Sequence, residues 1–187
     1  MRRDLALECL KDHVTDDIVV AVYQTCFDWM AINPRGLNYV STGAMGQASS
    51  HGLGLALARP DKRVLVLDGD GSLLMNLGSL VSIGEAAPPN LYHLVFLNGV
   101  YEVNGDHPIP GRGKVDFAAL ASASGYRDAV TFDELDLLRQ NLGDFLSQSG
   151  PVLAVIEIEP GNAYPRDYDF IHSKEARERF RQALKAN

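Results

Sequence analysis

The stretch Val64-Leu65-Val66-Leu67-Asp68-Gly69-Asp70-Gly71-Ser72 decides how this chain folds. Its run of apolar residues predicts a strand buried on both faces, as in a parallel sheet that is covered by helices. The glycines at 69 and 71 allow a tight turn and a close approach of the backbone to a ligand, with the Asp70 carboxylate between them. The stretch therefore predicts a layered α/β protein with a polar turn at one edge of its sheet.

A second apolar run, residues 91–97, ends in Asn98-Gly99. The carboxyl ends of parallel strands share one edge of a sheet, and open α/β sheets bind their ligands there. Asp70 and Asn98 would offer two oxygen donors at this edge, which suits a hard cation such as Mg2+ that usually holds a phosphate as well. The two strand ends together predict a metal and phosphate site.

The rest of the chain alternates between segments with the hydrophobic periodicity of strands and segments with that of helices. Strands are predicted at 18–22, 126–130 and 152–158. Helices are predicted at 5–11, 25–32, 47–58, 76–85 and 116–124. Two further helices are predicted, one after a capping box at 131–134 and one after a cap at Ser173. This alternation predicts a doubly wound, mostly parallel sheet with helices on both faces, in a single domain spanning 1–187. The glycine- and proline-rich segment 99–113 predicts a long functional loop.

Composition excludes several classes of protein. A net charge of −7 disfavours sequence-independent binding of nucleic acid. No apolar run approaches the ~20 residues that span a bilayer, and no apolar segment long enough for a signal peptide follows the basic N-terminus. Two cysteines are too few for a disulfide framework or an iron–sulfur cluster. These features predict a cytoplasmic protein without membrane or nucleic-acid partners.

Two familiar motifs do not apply. Gly52-Leu53-Gly54 lies inside a helical pattern with no third glycine in place, so helix packing explains it better than dinucleotide binding. The spacing of Asp68, Asp70 and Ser72 resembles the start of an EF-hand, but Leu73 and Ser79 stand where that loop needs Gly and Glu.

The turn Gly69-Asp70-Gly71-Ser72, with Asn98 at the end of the next strand, resembles the binding motif of thiamine diphosphate (ThDP) enzymes, which begins with GDG and ends in Asn. Many members end in Asn-Asn, whereas this chain has Leu97-Asn98. The resemblance implies Mg2+ held by the Asp70 carboxylate, the Asn98 side-chain oxygen and the Val100 carbonyl.

The segment Gly43-Ala44-Met45-Gly46 resembles the part of these enzymes that meets the aminopyrimidine ring. The resemblance implies that the Gly43 carbonyl accepts a hydrogen bond from the exocyclic amine of the cofactor. It also implies that Met45, which is apolar and adaptable, supports the bent cofactor. It implies ligand loops at 43–46, 69–72 and 98–113. The cofactor-binding residues would be Gly43, Ala44, Met45, Gly69, Asp70, Gly71, Ser72, Asn98, Val100 and Tyr101.

Lone polar residues carry weaker signals. Glu102 and His107, in the long loop, are the candidate catalytic side chains, and the alternative is that they are solvated loop residues. Arg112 and Lys114 are candidate cations for an anionic substrate. His93 lies in a predicted buried strand and is expected to be a core residue with satisfied hydrogen bonds.

In ThDP enzymes the cofactor lies between two domains, and the pyrimidine-binding domain supplies the glutamate that protonates the ring. This chain has room for the diphosphate domain alone. Residues 45–56 and 71–78 resemble the β subunit of sulfopyruvate decarboxylase and the C-terminal half of phosphonopyruvate decarboxylase. The resemblance implies a subunit of a split decarboxylase for a small anionic 2-oxo acid, active only with a pyrimidine-binding α subunit. An αβ-type assembly is expected, and a homo-oligomer when the chain is alone.

Other functions remain open at this point. The chain could be a β subunit of a 2-oxoacid oxidoreductase, although it lacks the cluster cysteines, or a fragment of acetolactate synthase. It could also be a non-catalytic paralogue that binds ThDP and regulates a partner.

Overall fold

A computed structural model describes residues 1–161 and 164–186. The strands are β1 (Ile18–Ala21), β2 (Asn38–Tyr39), β3 (Val64–Gly69), β4 (Leu91–Leu97), β5 (Val100–Tyr101), β6 (His107–Pro108), β7 (Asp128–Phe132) and β8 (Val152–Glu157). The helices are α1 (Arg3–Lys11), α2 (Tyr23–Ile32), α3 (Ala48–Ala58), α4 (Asp70–Met75), α5 (Ser79–Ala86), α6 (Phe117–Ala123), α7 (Leu135–Ser147), α8 (Tyr168–Ile171) and α9 (Lys174–Ala186), with a 3-10 turn at Glu102–Asn104.

Six strands form one sheet in the order β2-β1-β3-β4-β8-β7, and every neighbouring pair is parallel. Helices cover both faces. One core lies between the sheet and α1, α2 and α7, and the other lies between the sheet and α3 to α6. The prediction of a doubly wound parallel sheet is therefore confirmed.

The strand order creates a switch point between β1 and β3. The chain runs from β1 outward to β2 and then crosses back, through α3, to β3 on the other side of β1. Crossovers that diverge in this way leave a crevice at the carboxyl ends of the two strands, where such sheets bind ligands. The ends of β1, β3 and β4 meet at this crevice.

Helix α3 lies unusually close to the sheet. A Cβ atom added to Gly52 would lie only 2.2 Å from Cγ2 of Val66 on β3. Gly54, two residues further along the same helix, faces open space. The glycine at 52 is therefore required by packing, as the sequence predicted.

Some local predictions were wrong. The helix predicted at 76–85 begins only at Ser79, as α5, and a separate helix that the sequence did not predict, α4, precedes it from Asp70 to Met75. The capping box is absent because Thr131 still belongs to β7, and Glu134 precedes α7 without a capping side chain. The cap at Ser173 is confirmed, because its Oγ accepts from the Ala176 amide at 3.0 Å.

Within the described part of the chain, no helix has both the length and the apolar composition needed to cross a lipid bilayer.

Candidate functional site

A cleft opens at the switch point, on the carboxyl edge of the sheet. Its walls are Arg3, Val22, Tyr23, Gln24, Thr25, Met45, Gly69, Asp70, Gly71, Ser72, Phe96, Asn98, Val100, Tyr101, Glu102 and Val103. The cleft is open to solvent on one side, and its accessible volume is about 50 Å3.

The Asp70 carboxylate lies at the centre of this cleft. Its Oδ2 accepts from the amides of Gly99 at 2.7 Å and Asn98 at 3.2 Å, and its Oδ1 accepts from the amide of Gly71 at 2.7 Å. The side chain is only 2% exposed. Burial raises the pKa of this carboxyl, and the amide donors oppose the rise because they favour the charged form. The contacts join the ends of β3 and β4, as the sequence predicted.

The donor atoms here suit a hard cation. Asn98 turns its Oδ1 towards the loop, where it accepts from the Val100 amide at 2.9 Å. A carboxylate, an amide oxygen and the main-chain carbonyls of this loop are all oxygen ligands of the kind that Mg2+ takes. Among the described residues no group of three or more His, Cys, Asp or Glu side chains forms a metal cage. The set therefore fits an ion that keeps further ligands from water and a phosphate.

The loop at 43–46 is fastened to the turn at 69–72. The Gly46 amide donates to Oγ of Ser72 at 2.9 Å, and Asn76 donates through Nδ2 to the Gly46 carbonyl at 2.9 Å. Met45 lines the cleft, whereas Gly43 and Ala44 are exposed. Gly43 has a φ of +80° and open space around it, so its backbone is accessible to a ligand.

The two glycines of the turn have different roles. Gly69 faces open space, so a ligand can approach its backbone closely. At Gly71 a Cβ atom would lie 2.5 Å from Cε1 of Tyr101, so this glycine makes room for the tyrosine ring. Tyr101 lines the cleft.

The structure separates the two candidate catalytic residues. Glu102 is not a solvated loop acid: its side chain is 5% exposed, and it pairs with Arg3 at 2.6 Å. His107 lies opposite Tyr101 in the small β5–β6 sheet, is exposed, and does not line the cleft. Arg112 and Lys114 are both exposed, and the Arg112 side chain lies against Gly99.

Sequence reasoning missed the side of the cleft formed by α1 and α2. Arg3 donates to Asp28 at 2.7 Å, and Gln24 donates to the other oxygen of Asp28 at 3.2 Å. Tyr23, which lines the cleft, has a φ of +44°. That value is uncommon outside glycine and is often found at functional sites. The position of Tyr23 and Gln24 directly after β1 was the available signal, but the strand order was needed to use it.

Comparison with known proteins agrees with this geometry. Residues 20–157 match the family model described as thiamine pyrophosphate enzyme, C-terminal TPP binding domain. The chain belongs to this family. The matched residues include the turn at 69–72, the end of β4 and the loop at 43–46. The family binds ThDP (thiamine pyrophosphate), which is the cofactor that the sequence predicted.

The relatives of this ThDP-binding chain include two kinds of decarboxylase. It is 39% identical to phosphonopyruvate decarboxylase of Streptomyces viridochromogenes over 86% of this chain and 40% of that protein. It is 40% identical to sulfopyruvate decarboxylase subunit beta of Methanothermobacter thermautotrophicus, over 70% of this chain and 66% of that one. The chain thus spans about two fifths of the phosphonopyruvate decarboxylase and two thirds of this beta subunit.

A third relative matches almost from end to end. Sulfopyruvate decarboxylase subunit beta of Methanococcus maripaludis is 33% identical over 96% of this chain and 95% of its own length. The X-ray structure of a proposed thiamin diphosphate-dependent enzyme from Mycobacterium smegmatis superposes with a TM-score of 0.72 and 23% identity, over 86% of this chain and 32% of that one. This likeness supports the fold alone.

Proposed function

We propose that this chain is the diphosphate- and Mg2+-binding subunit of a two-subunit, ThDP-dependent decarboxylase, and that its substrate is sulfopyruvate or phosphonopyruvate. The observation that carries the proposal is the junction of Asp70 with the end of β4 at the switch-point cleft, beside Met45. The beta subunits of sulfopyruvate decarboxylase support it, since one of them matches this chain over nearly its whole length.

Each residue of the cleft has a task that follows from its chemistry. Asp70 and Asn98, with the Val100 carbonyl, would hold Mg2+ and through it the diphosphate. Gly43 and Gly69 would let the backbone approach the cofactor, and Met45 would pack against it. When bound, ThDP supplies the electron sink that decarboxylation of a 2-oxo acid requires. The chain itself contributes binding, orientation and a fixed charge.

An anionic substrate needs a cation near the metal. Arg112 is the candidate on this chain because its side chain lies against Gly99, whose amide donates to the Asp70 carboxylate. A guanidinium also matches the geometry of a sulfonate or a phosphonate. Arg112→Ala should therefore weaken binding of sulfopyruvate or phosphonopyruvate more than binding of pyruvate, with Lys114→Ala as the control.

None of the described residues that line the cleft offers a free acid to protonate the cofactor ring. Among the described residues that line it, Asp70 and Glu102 carry the carboxylates, and both accept hydrogen bonds from this chain. We infer that a pyrimidine-binding α subunit supplies a glutamate. The neighbouring helices α3 to α5 expose Leu57, Met75 and Val81, with 57%, 51% and 61% of each residue accessible, and this apolar surface would receive the partner.

The assembly would be an αβ-type oligomer, and the chain alone would self-associate through the same surface. A cytoplasmic location belongs to the proposal. It is supported by Cys9 and Cys26, which are both free thiols.

The metal assignment is tested with Asp70→Asn, which keeps the size of the side chain and removes its charge. Calorimetry of Mg2+ and ThDP binding should show a large loss of affinity, while Asp61→Asn, at an exposed acid, should bind as the wild type does. Equal affinity in the two variants would remove Asp70 from the site.

The split-enzyme assignment is tested by reconstitution. The chain would be mixed with the α subunit of Methanococcus maripaludis sulfopyruvate decarboxylase, the partner of a beta subunit that it matches over 95% of its length. A cognate α subunit would be used as well. Release of carbon dioxide from sulfopyruvate and phosphonopyruvate should require both subunits, and turnover by this chain alone would refute the assignment.

A further inference from the structure

A chain of buried polar side chains lies beneath the turn at 69–72. Asp68 at the end of β3 and His93 on β4 are both inaccessible to solvent, and Tyr126, just before β7, is 6% exposed. His93 Nε2 lies 3.3 Å from Oδ2 of Asp68, and His93 Nδ1 lies 3.1 Å from the Tyr126 hydroxyl. His93 is thus a core residue with both ring nitrogens engaged, as the sequence predicted.

The surroundings of these three side chains are apolar. In the sheet, His93 is the register partner of Val66, and Asp68 is the register partner of Val95. Both valines belong to the core under α3 to α6 and are fully buried. Replacing a buried pair of charged or polar side chains with apolar side chains of similar volume often leaves a core equally stable or more stable. Stability of the fold therefore gives no reason to place them here.

The two contacts of the Asp68 carboxylate indicate what this group of side chains does. Oδ1 of Asp68 accepts from the amide of Gly69 at 2.9 Å, so the carboxylate binds the imidazole with one oxygen and the turn with the other. Rotation of the Asp68 side chain would break one of these bonds. The peptide between 68 and 69 is therefore held from inside the core, one residue before the proposed metal ligand.

We propose that Asp68, His93 and Tyr126 are positioning residues that fix the backbone of Gly69 and Asp70 for binding of Mg2+ and diphosphate. The inference rests on the proposed function. None of the three side chains touches the cleft, and they act through the main chain of the turn. Hydrogen-bond partners of this kind behind metal ligands typically change metal affinity about 10- to 100-fold when they are removed.

Because a neutral imidazole can carry its proton on either nitrogen, two substitutions of Asp68 distinguish loss of its hydrogen bonds from loss of its charge. Asp68→Ala removes both contacts. Asp68→Asn keeps an oxygen for the Gly69 amide, and its NH2 group can donate to Nε2 if the ring proton moves to Nδ1, which then donates to the Tyr126 hydroxyl. Both nitrogens of a neutral imidazole can exchange roles in this way. The asparagine variant should therefore restore the positioning that the alanine variant loses.

The first experiment measures Mg2+-dependent binding of ThDP to the full chain by calorimetry, with stability followed by urea unfolding. Asp68→Ala should bind about tenfold or more weakly, and Asp68→Asn should stay close to the wild type. Val66→Ala is the matched control, since it removes core volume from the same face of the same strand without touching a hydrogen bond. If Val66→Ala weakens binding as much as Asp68→Ala does, the residues are core residues only and the proposal fails.

The second experiment needs no ligand and separates this inference from the proposed function. Hydrogen exchange of the amides at 69–71 should accelerate in Asp68→Ala and in Tyr126→Phe, relative to the amides of β8. If the wild type fails to bind ThDP, the proposed function fails, while the exchange pattern still decides the positioning role. If Asp68→Ala does not fold, Tyr126→Phe decides, because it removes a single oxygen. Unchanged exchange at 69–71 in that variant would overturn the proposal.

Discussion

Replacing Gly52 with alanine should destabilise the chain, although alanine is the better helix former. The new methyl carbon would lie 2.2 Å from Cγ2 of Val66, whereas carbon atoms in contact are about 3.5–4.0 Å apart. Helix α3 or β3 would have to move by about 1.3 Å to reach the shorter limit of that range. Val66 cannot turn away easily, because a β-branched side chain in a packed core has few rotamers.

The magnitude follows from two opposing terms. Forcing an extra methyl group into a packed core costs about 1–3 kcal/mol, and the change from glycine to alanine inside a helix recovers up to about 1 kcal/mol. Gly54→Ala gains the second term alone, because no atom lies within 4 Å of its added Cβ. The difference between the two variants is therefore about 1–3 kcal/mol, or roughly 2–12 °C in Tm for a chain of this size.

The assay is urea unfolding at fixed protein concentration, followed by the fluorescence of Trp29, the single tryptophan, which is fully buried. Val66→Ala provides the rescue: in that background Gly52→Ala should lose most of its penalty, because the clashing Cγ2 is gone. If Gly52→Ala proves as stable as Gly54→Ala, the close packing of α3 on β3 is refuted.

Three further predictions follow from the same structure. Gly84→Ala should destabilise the chain strongly, because its Cβ would lie 1.8 Å from the backbone oxygen of Ser124. In urea unfolding the control Gly78→Ala, whose added carbon has no atom within 4 Å, should be as stable as the wild type. Thiol labelling of the native chain at pH 8 should modify Cys9 alone, since Cys26 is buried and burial raises the pKa of its thiol; two labelled thiols would contradict this. Purified chain with Mg2+ and ThDP should release no carbon dioxide from 2-oxo acids, and gas analysis that detects turnover would contradict the need for a partner.

The central strands and the turn could be predicted from the sequence because their signals are local. Four buried apolar residues followed by an acidic glycine turn specify a strand end, and Asn98 specifies a second one. The parallel sheet then brings the two ends to one edge without any further information. The position of Met45 followed from resemblance to a known motif.

The other side of the cleft could not be predicted, because it depends on contacts between distant positions. Arg3 and Glu102 are separated by 99 positions, and neither residue carries a local pattern that indicates a buried ion pair. Glu102 looks like a solvated acid in the sequence, since its neighbours are loop residues. The role of Tyr23 depended on the strand order, which places β1 beside β3.

The loop at 98–113 has a consequence for how binding free energy is distributed. Within it, β5 and β6 pair in antiparallel fashion, and the Ile109 amide donates to the Gly99 carbonyl at 3.1 Å. Ordering a residue of free backbone costs about 1–2 kcal/mol of conformational entropy. Because these contacts are made within the chain itself, their share of that cost belongs to folding rather than to binding. To the extent that the chain's own contacts order the loop, cofactor and substrate do not have to, and more of their interaction free energy is left as affinity.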